Sequence, residues 1–259
     1  GQDPAARTAR QAGVSAGPVT AILSALPAEQ AGLAAALDPA YPISRTTHAG
    51  RVFQQGTLHG QAVVLALSGI GKVAAATTAT ALVERFHATR IVFTGVAGGL
   101  GQGVAVGDVV VARDFVQHDM DASPLFPRWE VPGYGRARWE CDAALTSRLE
   151  AAADACLQRM AAPRRHTGLI ASGDVFVGSA IAARTLHQGL SEAGHDVLAV
   201  EMEGAAVAQV CADYGVPFAA MRTISDRADD AAHVDFSRFV TEVASRYADE
   251  IIGEFMQSL

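Results

Sequence analysis

The chain switches repeatedly between short apolar runs and segments whose apolar positions recur every three or four residues, and each switch marks an element boundary. Val19 to Ser24 reads as a short apolar strand. Ala25-Leu-Pro27-Ala-Glu29 then turns into a helix running to about Leu37, with Pro27 in a first turn where its missing N–H costs nothing. Arg51 to Leu58 and Gln61 to Leu67 form a hairpin around His59-Gly60, its second half buried through Val63, Val64, Leu65 and Leu67. Ser68-Gly-Ile-Gly71-Lys72 follows and opens a helix to about His87. Arg90 to Gly99 is a strand ending in small residues, and Gly107 to Arg113 is another. Ala143 to Met160 reads as an Ala-rich helix, Thr167 to Ser172 as a strand, and Ala180 to Gln188 as a further helix. Asp196 to Glu201 is an apolar run feeding a small-residue helix that reaches Cys211. A strand from Phe218 ends at Ser225-Asp226, and a last helix spans about Ser237 to Met256. In that helix Phe239, Val243, Tyr247, Ile251 and Phe255 lie four apart on one stripe.

Strands alternating with helices predict an α/β fold: a three-layer αβα sandwich around a twisted, mostly parallel (mixed) sheet. No linker or composition shift interrupts residues 19–259, which read as one domain. Residues 1–18 have no hydrophobic period and read as a flexible tail. Its origin stays open between a native extension, an expression remnant and the mature start left by a cleaved signal peptide.

Composition narrows the function classes. Half of the 259 residues are hydrophobic, ample for a sizeable core, and the net charge of −7 disfavours a nucleic-acid or anionic-membrane surface. No apolar run approaches the length of a membrane span. Cys141, Cys156 and Cys211 are odd in number and lack CxxC spacing, so they read as reduced structural thiols. That favours the cytoplasm, with a periplasmic or exported protein as the alternative if a signal peptide preceded the tail.

The candidate chemistry sits where strands end. Glu201-Met202-Glu203 places two carboxylates at a strand-to-helix junction, the edge at which open α/β sheets bind ligands. The competing reading is a helix start with acids favoured by the macrodipole. Asp226 ends a second strand, and Glu29 follows a third. The stretches Ser68 to Lys72 and Thr94 to Gly99 match no phosphate-loop pattern. Their glycines suit a cleft floor that a side chain would obstruct. His118 between Gln117 and Asp119 lacks the spacing of a metal site. Pro124 to Arg138, with Phe126, Trp129 and Tyr134, reads as a long loop of the binding or interface kind.

Taken in order, Ser68-Gly-Ile-Gly-Lys-Val-Ala-Ala-Ala, Thr94-Gly-Val-Ala-Gly-Gly-Leu, Ser172-Gly-Asp-Val-Phe, Val200-Glu-Met-Glu and Ile224-Ser-Asp-Arg-Ala-Asp229, with Ala25 to Glu29, closely resemble bacterial 5′-methylthioadenosine/S-adenosylhomocysteine nucleosidases of the purine nucleoside phosphorylase/hydrolase superfamily. The match spans nearly the whole chain from Val19. It implies a nucleoside phosphorylase-like fold, hydrolysis of an adenosyl thioether to adenine and a 5-thioribose, no metal or organic cofactor, and a homodimer whose 121–134 loop caps the neighbour's pocket. Carried over by position, Asp226 is the general acid at adenine N7 and Glu29 activates the attacking water. Glu203 accepts from the ribose hydroxyls, with Met202 beneath the sugar. Phe176 stacks on adenine and the Val177 backbone reads its edge. Val96, Ala97 and Gly98 form the cleft floor, while Leu26, Ile70 and Phe236 line the 5′-alkylthio pocket. Ser225 and Arg222 support the acid and the sugar-binding carboxylate.

The chemistry of an N-glycosidic bond asks for this set. Its oxocarbenium-like transition state needs an acid for the leaving base, a base to aim water and a group fixing the ribose. For Asp226 to hold a proton at neutral pH, burial or neighbouring acids must raise its pKa. Two alternatives remain: a purine nucleoside phosphorylase, disfavoured because Phe93 and Val96 stand where related phosphorylases carry an Arg and a Ser for phosphate, and an inactive nucleoside-binding protein, disfavoured because all three acids are present.

Overall fold

The computed structural model describes residues 17–159, 163–228, 243 and 245–259. Strand β1 (Val19–Ser24) leads through a single 3-10 turn (Pro27–Glu29) into the short helix α1 (Ala31–Ala35). Then come β2 (Ser44–His48), β3 (Arg51–Leu58), β4 (Gln61–Leu67) and α2 (Lys72–Glu84). They are followed by β5 (Arg90–Gly99), β6 (Val109–Gln117), β7 (Arg138–Glu140), α3 (Ala143–Leu157), β8 (Arg165–Ser172) and α4 (Ala180–Glu192). The chain closes with β9 (Val197–Glu201), α5 (Gly204–Tyr214), β10 (Phe218–Asp226) and α6 (Ser245–Ser258). The last helix keeps its expected stripe, with Tyr247, Ile251 and Phe255 buried. Its expected start at Ser237, and Phe239 on its stripe, lie outside the described residues.

The helices start and stop for local reasons. Asp142 accepts the Leu145 N–H at 2.9 Å and caps α3, and Ser179 accepts the Ala182 N–H at 3.1 Å and caps α4. Gly215, left-handed at φ 66°, ends α5. The helix expected from Ala25 to Leu37 is instead a 3-10 turn and a five-residue helix. Gln30 causes the break by turning inward, its Nε2 donating to Ile22 O at 3.0 Å and Ala66 O at 2.9 Å.

One mixed sheet of ten strands carries helices on both faces. Consecutive residues of a strand point to opposite faces. Ile22, Leu65 and Val92 accordingly pack with α1, α3 and α6 residues such as Leu33, Leu149 and Phe255. Leu23, Val64 and Phe93 pack on the other side with Ala75 and Leu82 of α2 and Val207 of α5. This is the expected three-layer sandwich, and burial on both faces explains the uninterrupted apolar runs. Beyond the expectation, the sheet curls: β5 pairs with β1, with β10 and with β9. Strands β4, β1, β5 and β10 run parallel, as do β6, β8 and β9, and the two groups meet in opposite sense. Gly98 at the end of β5 lies opposite Val200 at the end of β9, and Asp226 lies beside Gly98. The C-terminal ends of both groups therefore converge on one place.

Candidate active site

At that convergence lies a cavity of about 270 Å³. Every candidate residue within the described part of the chain lines it; Phe236 lies outside the described residues. Ala25, Val175, Val200 and Glu201 line it as well.

Glu29 enters from the 3-10 turn after β1. It is 1 % exposed, and its Oε1 accepts the Leu26 N–H at 2.7 Å. Its Oε2 is buried without a close hydrogen-bond partner. Burial raises the carboxyl above its ordinary range, opposed by the charge of Arg222 and the Leu26 amide. The floor beneath is β5, and Gly95 shows why it is made of small residues. A Cβ there would stand 2.1 Å from Arg222 Nη1 and 2.8 Å from Glu29 Oε2.

Arg222, 1 % exposed on β10, organises the middle of the site. Its guanidinium lies 4.1 Å over the Phe93 ring, and its Nη2 donates to Glu201 and lies 3.7 Å from Glu203 Oε1. Glu201 accepts in addition from Ser172 Oγ and from the Gly204 N–H at 2.9 Å, so that strand β9, strand β8 and the start of α5 meet on one carboxylate. Sequence reasoning gave Glu201 no role. The signal was present: Glu201 and Glu203 share a strand-like two-residue spacing, and an Arg within the apolar run of β10 needs a buried anion.

Glu203 immediately precedes α5, is 5 % exposed, and its Oε2 accepts the Gly71 N–H at 3.1 Å. Burial and the neighbouring Glu201 push its carboxyl up to about 7 against the pull of Arg222. Gly71 has φ 98°, a left-handed backbone that a side chain resists, and this geometry turns its N–H toward Glu203.

Asp226 closes β10, 2 % exposed, with Ser225 Oγ donating to Oδ2 at 2.8 Å and the Ala228 N–H donating to Oδ1 at 2.7 Å. Ser225 thus lies against Asp226, and Arg222 lies beside Glu203. Val96 and Ala97 are buried in the floor, while Ile70 and Phe176 are exposed at the rim.

His118 lies with its ring against Gly173, and burial lowers its pKa. Among the described residues no cluster of three or more His, Cys, Asp or Glu could hold a metal ion, and no helix is long and apolar enough to cross a membrane. The 121–134 loop divides. Trp129 is buried, its Nε1 donating to His118 O at 3.0 Å, and Tyr134 reaches Asp213 at 3.0 Å. Leu125 and Phe126 remain exposed.

Comparison with known proteins places this arrangement. The model of a family described as the phosphorylase superfamily matches residues 19–256. The 5′-methylthioadenosine/S-adenosylhomocysteine nucleosidase of Shewanella frigidimarina is 33% identical over 86% of this chain and 92% of its own length. The nucleosidase of the same name from Geobacillus kaustophilus is 38% identical over 80% and 84%. Among solved structures, the Neisseria meningitidis nucleosidase in complex with methylthio-immucillin-A superposes with a TM-score of 0.84 at 33% identity, covering 93% of this chain and 99% of that one. The futalosine hydrolase of Helicobacter pylori superposes with a TM-score of 0.83 at 31% identity, covering 93% and 98%.

Proposed function

The chain belongs to the phosphorylase superfamily, among the 5′-methylthioadenosine/S-adenosylhomocysteine nucleosidases, and from that premise we propose that it hydrolyses the N-glycosidic bond of adenosyl thioethers, releasing adenine and a 5-thioribose. The observation that carries the proposal is the convergence of Glu29, Glu203 and Asp226 on one cavity from three different strand ends.

Asp226, fixed on both oxygens by Ser225 and Ala228, delivers a proton to N7 as the bond to C1′ breaks. Glu203 accepts from the 2′- and 3′-hydroxyls and holds the ribose over Met202. Glu29 keeps one oxygen on the Leu26 amide and turns Oε2 to a water, which it aims at C1′ and deprotonates. Both carboxylates lie where positive charge grows on the sugar and stabilise it in a dry site. Phe176 stacks on the adenine beside the Val177 backbone, and Leu26 and Ile70 receive the alkylthio group.

Phosphorolysis is the poorer reading. Among the described lining residues the cation is Arg222, and it is already committed to Glu201 and Glu203. Phe93 and Val96, both buried, offer an anion nothing. The exposed apolar side chains support a reading of the assembly. Ile70, Val175 and Phe176 at the rim, with Leu125 and Phe126 on the loop, suit an isologous homodimer that covers both 5′ pockets. The family match over residues 19–256 supports reading residues 19–259 as one domain, and a reduced, cytoplasmic setting suits its free thiols.

The test is adenine release by the purified protein, followed by chromatography, from methylthioadenosine, S-adenosylhomocysteine and futalosine in parallel. Release from the two thioethers is expected. Turnover of futalosine alone would move the chain to the other activity named among its structural neighbours. No release from any of them would leave an inactive nucleoside-binding protein.

A further inference from the structure

The strap that follows β8, residues 173–178, carries Val175, Phe176 and Val177 to the cavity without regular secondary structure of its own. Val175 and Phe176 are about half exposed, while Val177 is buried and packs in a cluster with Val116 and Val200. The strap is fastened at its base as well. The Gly173 N–H donates to Glu201 O at 3.1 Å. The Asp174 N–H donates to Asp119 Oδ2 at 2.9 Å, and Asp174 Oδ1 accepts the Lys72 N–H at 2.8 Å. Lys72 Nζ closes the circuit, donating to Asp119 Oδ1 at 2.8 Å and to Gln117 Oε1 at 3.0 Å. The ends of β4, β6 and β8 are therefore tied by one lysine and two aspartates. The Lys72 and Asp119 side chains are 17% and 25% exposed, sheltered enough for charge-assisted bonds to count.

Consecutive amides at the start of α2 divide their duties. Gly71 N–H holds Glu203, and Lys72 N–H holds Asp174. The 13-residue helix directs the positive end of its dipole at both carboxylates. One turn of backbone thus fixes the group assigned to the sugar and the strap assigned to the base.

We propose that Lys72, Asp119 and Asp174 form a positioning latch that sets the Val175–Val177 strap against the purine, so that affinity for the base end of the substrate depends on side chains that do not touch it. The inference rests on the nucleosidase reading given above. Contacts to adenine exist in the bound ground state and persist in the transition state, so loosening them raises KM more than it lowers kcat.

The experiment compares the full chain with Lys72→Met, Asp119→Asn and the double variant. Each is measured for methylthioadenosine kinetics, adenine affinity by calorimetry, melting temperature, and hydrogen exchange of the 173–178 amides. Each single variant is expected to raise KM and weaken adenine binding about tenfold, the scale of one charge-assisted hydrogen bond, with kcat changed less. The double variant should be no worse than the more impaired single, because either change opens the same circuit. Asp119→Asn preserves shape and serves if Lys72→Met fails to fold. A lower melting temperature with unchanged KM and adenine affinity would overturn the latch and leave a purely structural ion pair; fully multiplicative effects in the double variant would overturn it too. If the parent protein releases no adenine, the nucleosidase reading fails separately. Hydrogen exchange then decides the latch, faster exchange of 173–178 in the variants supporting it and unchanged exchange overturning it.

Discussion

Replacing Glu203 by Gln should stabilise the protein and disable it at once, and the two effects should respond differently to pH. The carboxyl is pushed from its ordinary 4.5 up to about 7, first by burial and then by Glu201. A folded-state pKa above the unfolded value means that the native state binds the extra proton between about pH 4.5 and 7. Stability from this group is therefore complete below pH 4.5 and is lost as pH rises through about 7. The step corresponds to at most ~3 kcal/mol, and reorganisation around Arg222 reduces it to about 1–3 kcal/mol. Gln cannot ionise and still offers an oxygen to the Gly71 N–H. At pH 8 the variant should melt several degrees higher than the parent, about 2–4 °C per kcal/mol, whereas at pH 5 the difference should shrink toward zero. Turnover should fall by roughly 10²-fold or more, because hydrogen bonds from the ribose hydroxyls to a charge become bonds to a neutral amide. In the parent, kcat/KM should climb as pH rises through about 7, the value at which Glu203 ionises. Calorimetric melting at the two pH values reads the stability part directly. A variant that melts lower than the parent at pH 8, or by the same offset at both, would refute this account of the buried carboxylate.

Asp226→Asn should keep the fold and retain at most about a hundredth of the turnover, since general acid catalysis supplies ~10²–10⁴-fold; Glu29→Gln should likewise lose turnover while calorimetry still detects methylthioadenosine binding. Gly95→Ala drives a Cβ to 2.1 Å from Arg222 Nη1, and Arg222 is held between Phe93 and Glu201. A loss of about 1–3 kcal/mol and a fall in turnover of about 10²-fold are expected, and parental melting and kinetics would show that Arg222 moves freely. Light scattering should give twice the chain mass at micromolar concentration, and Phe126→Asp should weaken both the dimer and methylthioadenosine binding. A fully active monomer would leave the loop as a lid on its own pocket.

The hairpin of β3 and β4 was legible to the residue, because His59-Gly60 interrupts two runs of consistent period. Strand β2 was not: Ser44–His48 is a polar, mostly exposed edge strand with no buried face to impose alternation. Strand β6 runs further than expected, through Gln117, because pairing with β8 completes backbone hydrogen bonds that local propensity does not foresee. The closure of the sheet is invisible for the same reason, since periodicity says which face is buried and not which strand lies alongside. The three acids were legible as strand-end carboxylates. Glu201 stands out in the sequence only as one of two junction carboxylates, with no role, because its partners, Ser172 and Arg222, come from strands 29 and 21 residues away. Trp129 and Tyr134 read as part of a binding or interface loop, and only the fold shows them turned back onto His118 and Asp213.

The central claim is that water, aimed by Glu29, and no other nucleophile takes the ribose. The measurement closest to it is the identity and rate of sugar product from methylthioadenosine in phosphate-free buffer and at saturating phosphate, read by mass spectrometry. The arrangement of Glu29, Arg222, Phe93 and Val96 predicts 5-methylthioribose in both, at equal rates and in equal amount to adenine. A phosphorylated sugar, or turnover that appears only with phosphate, would contradict it.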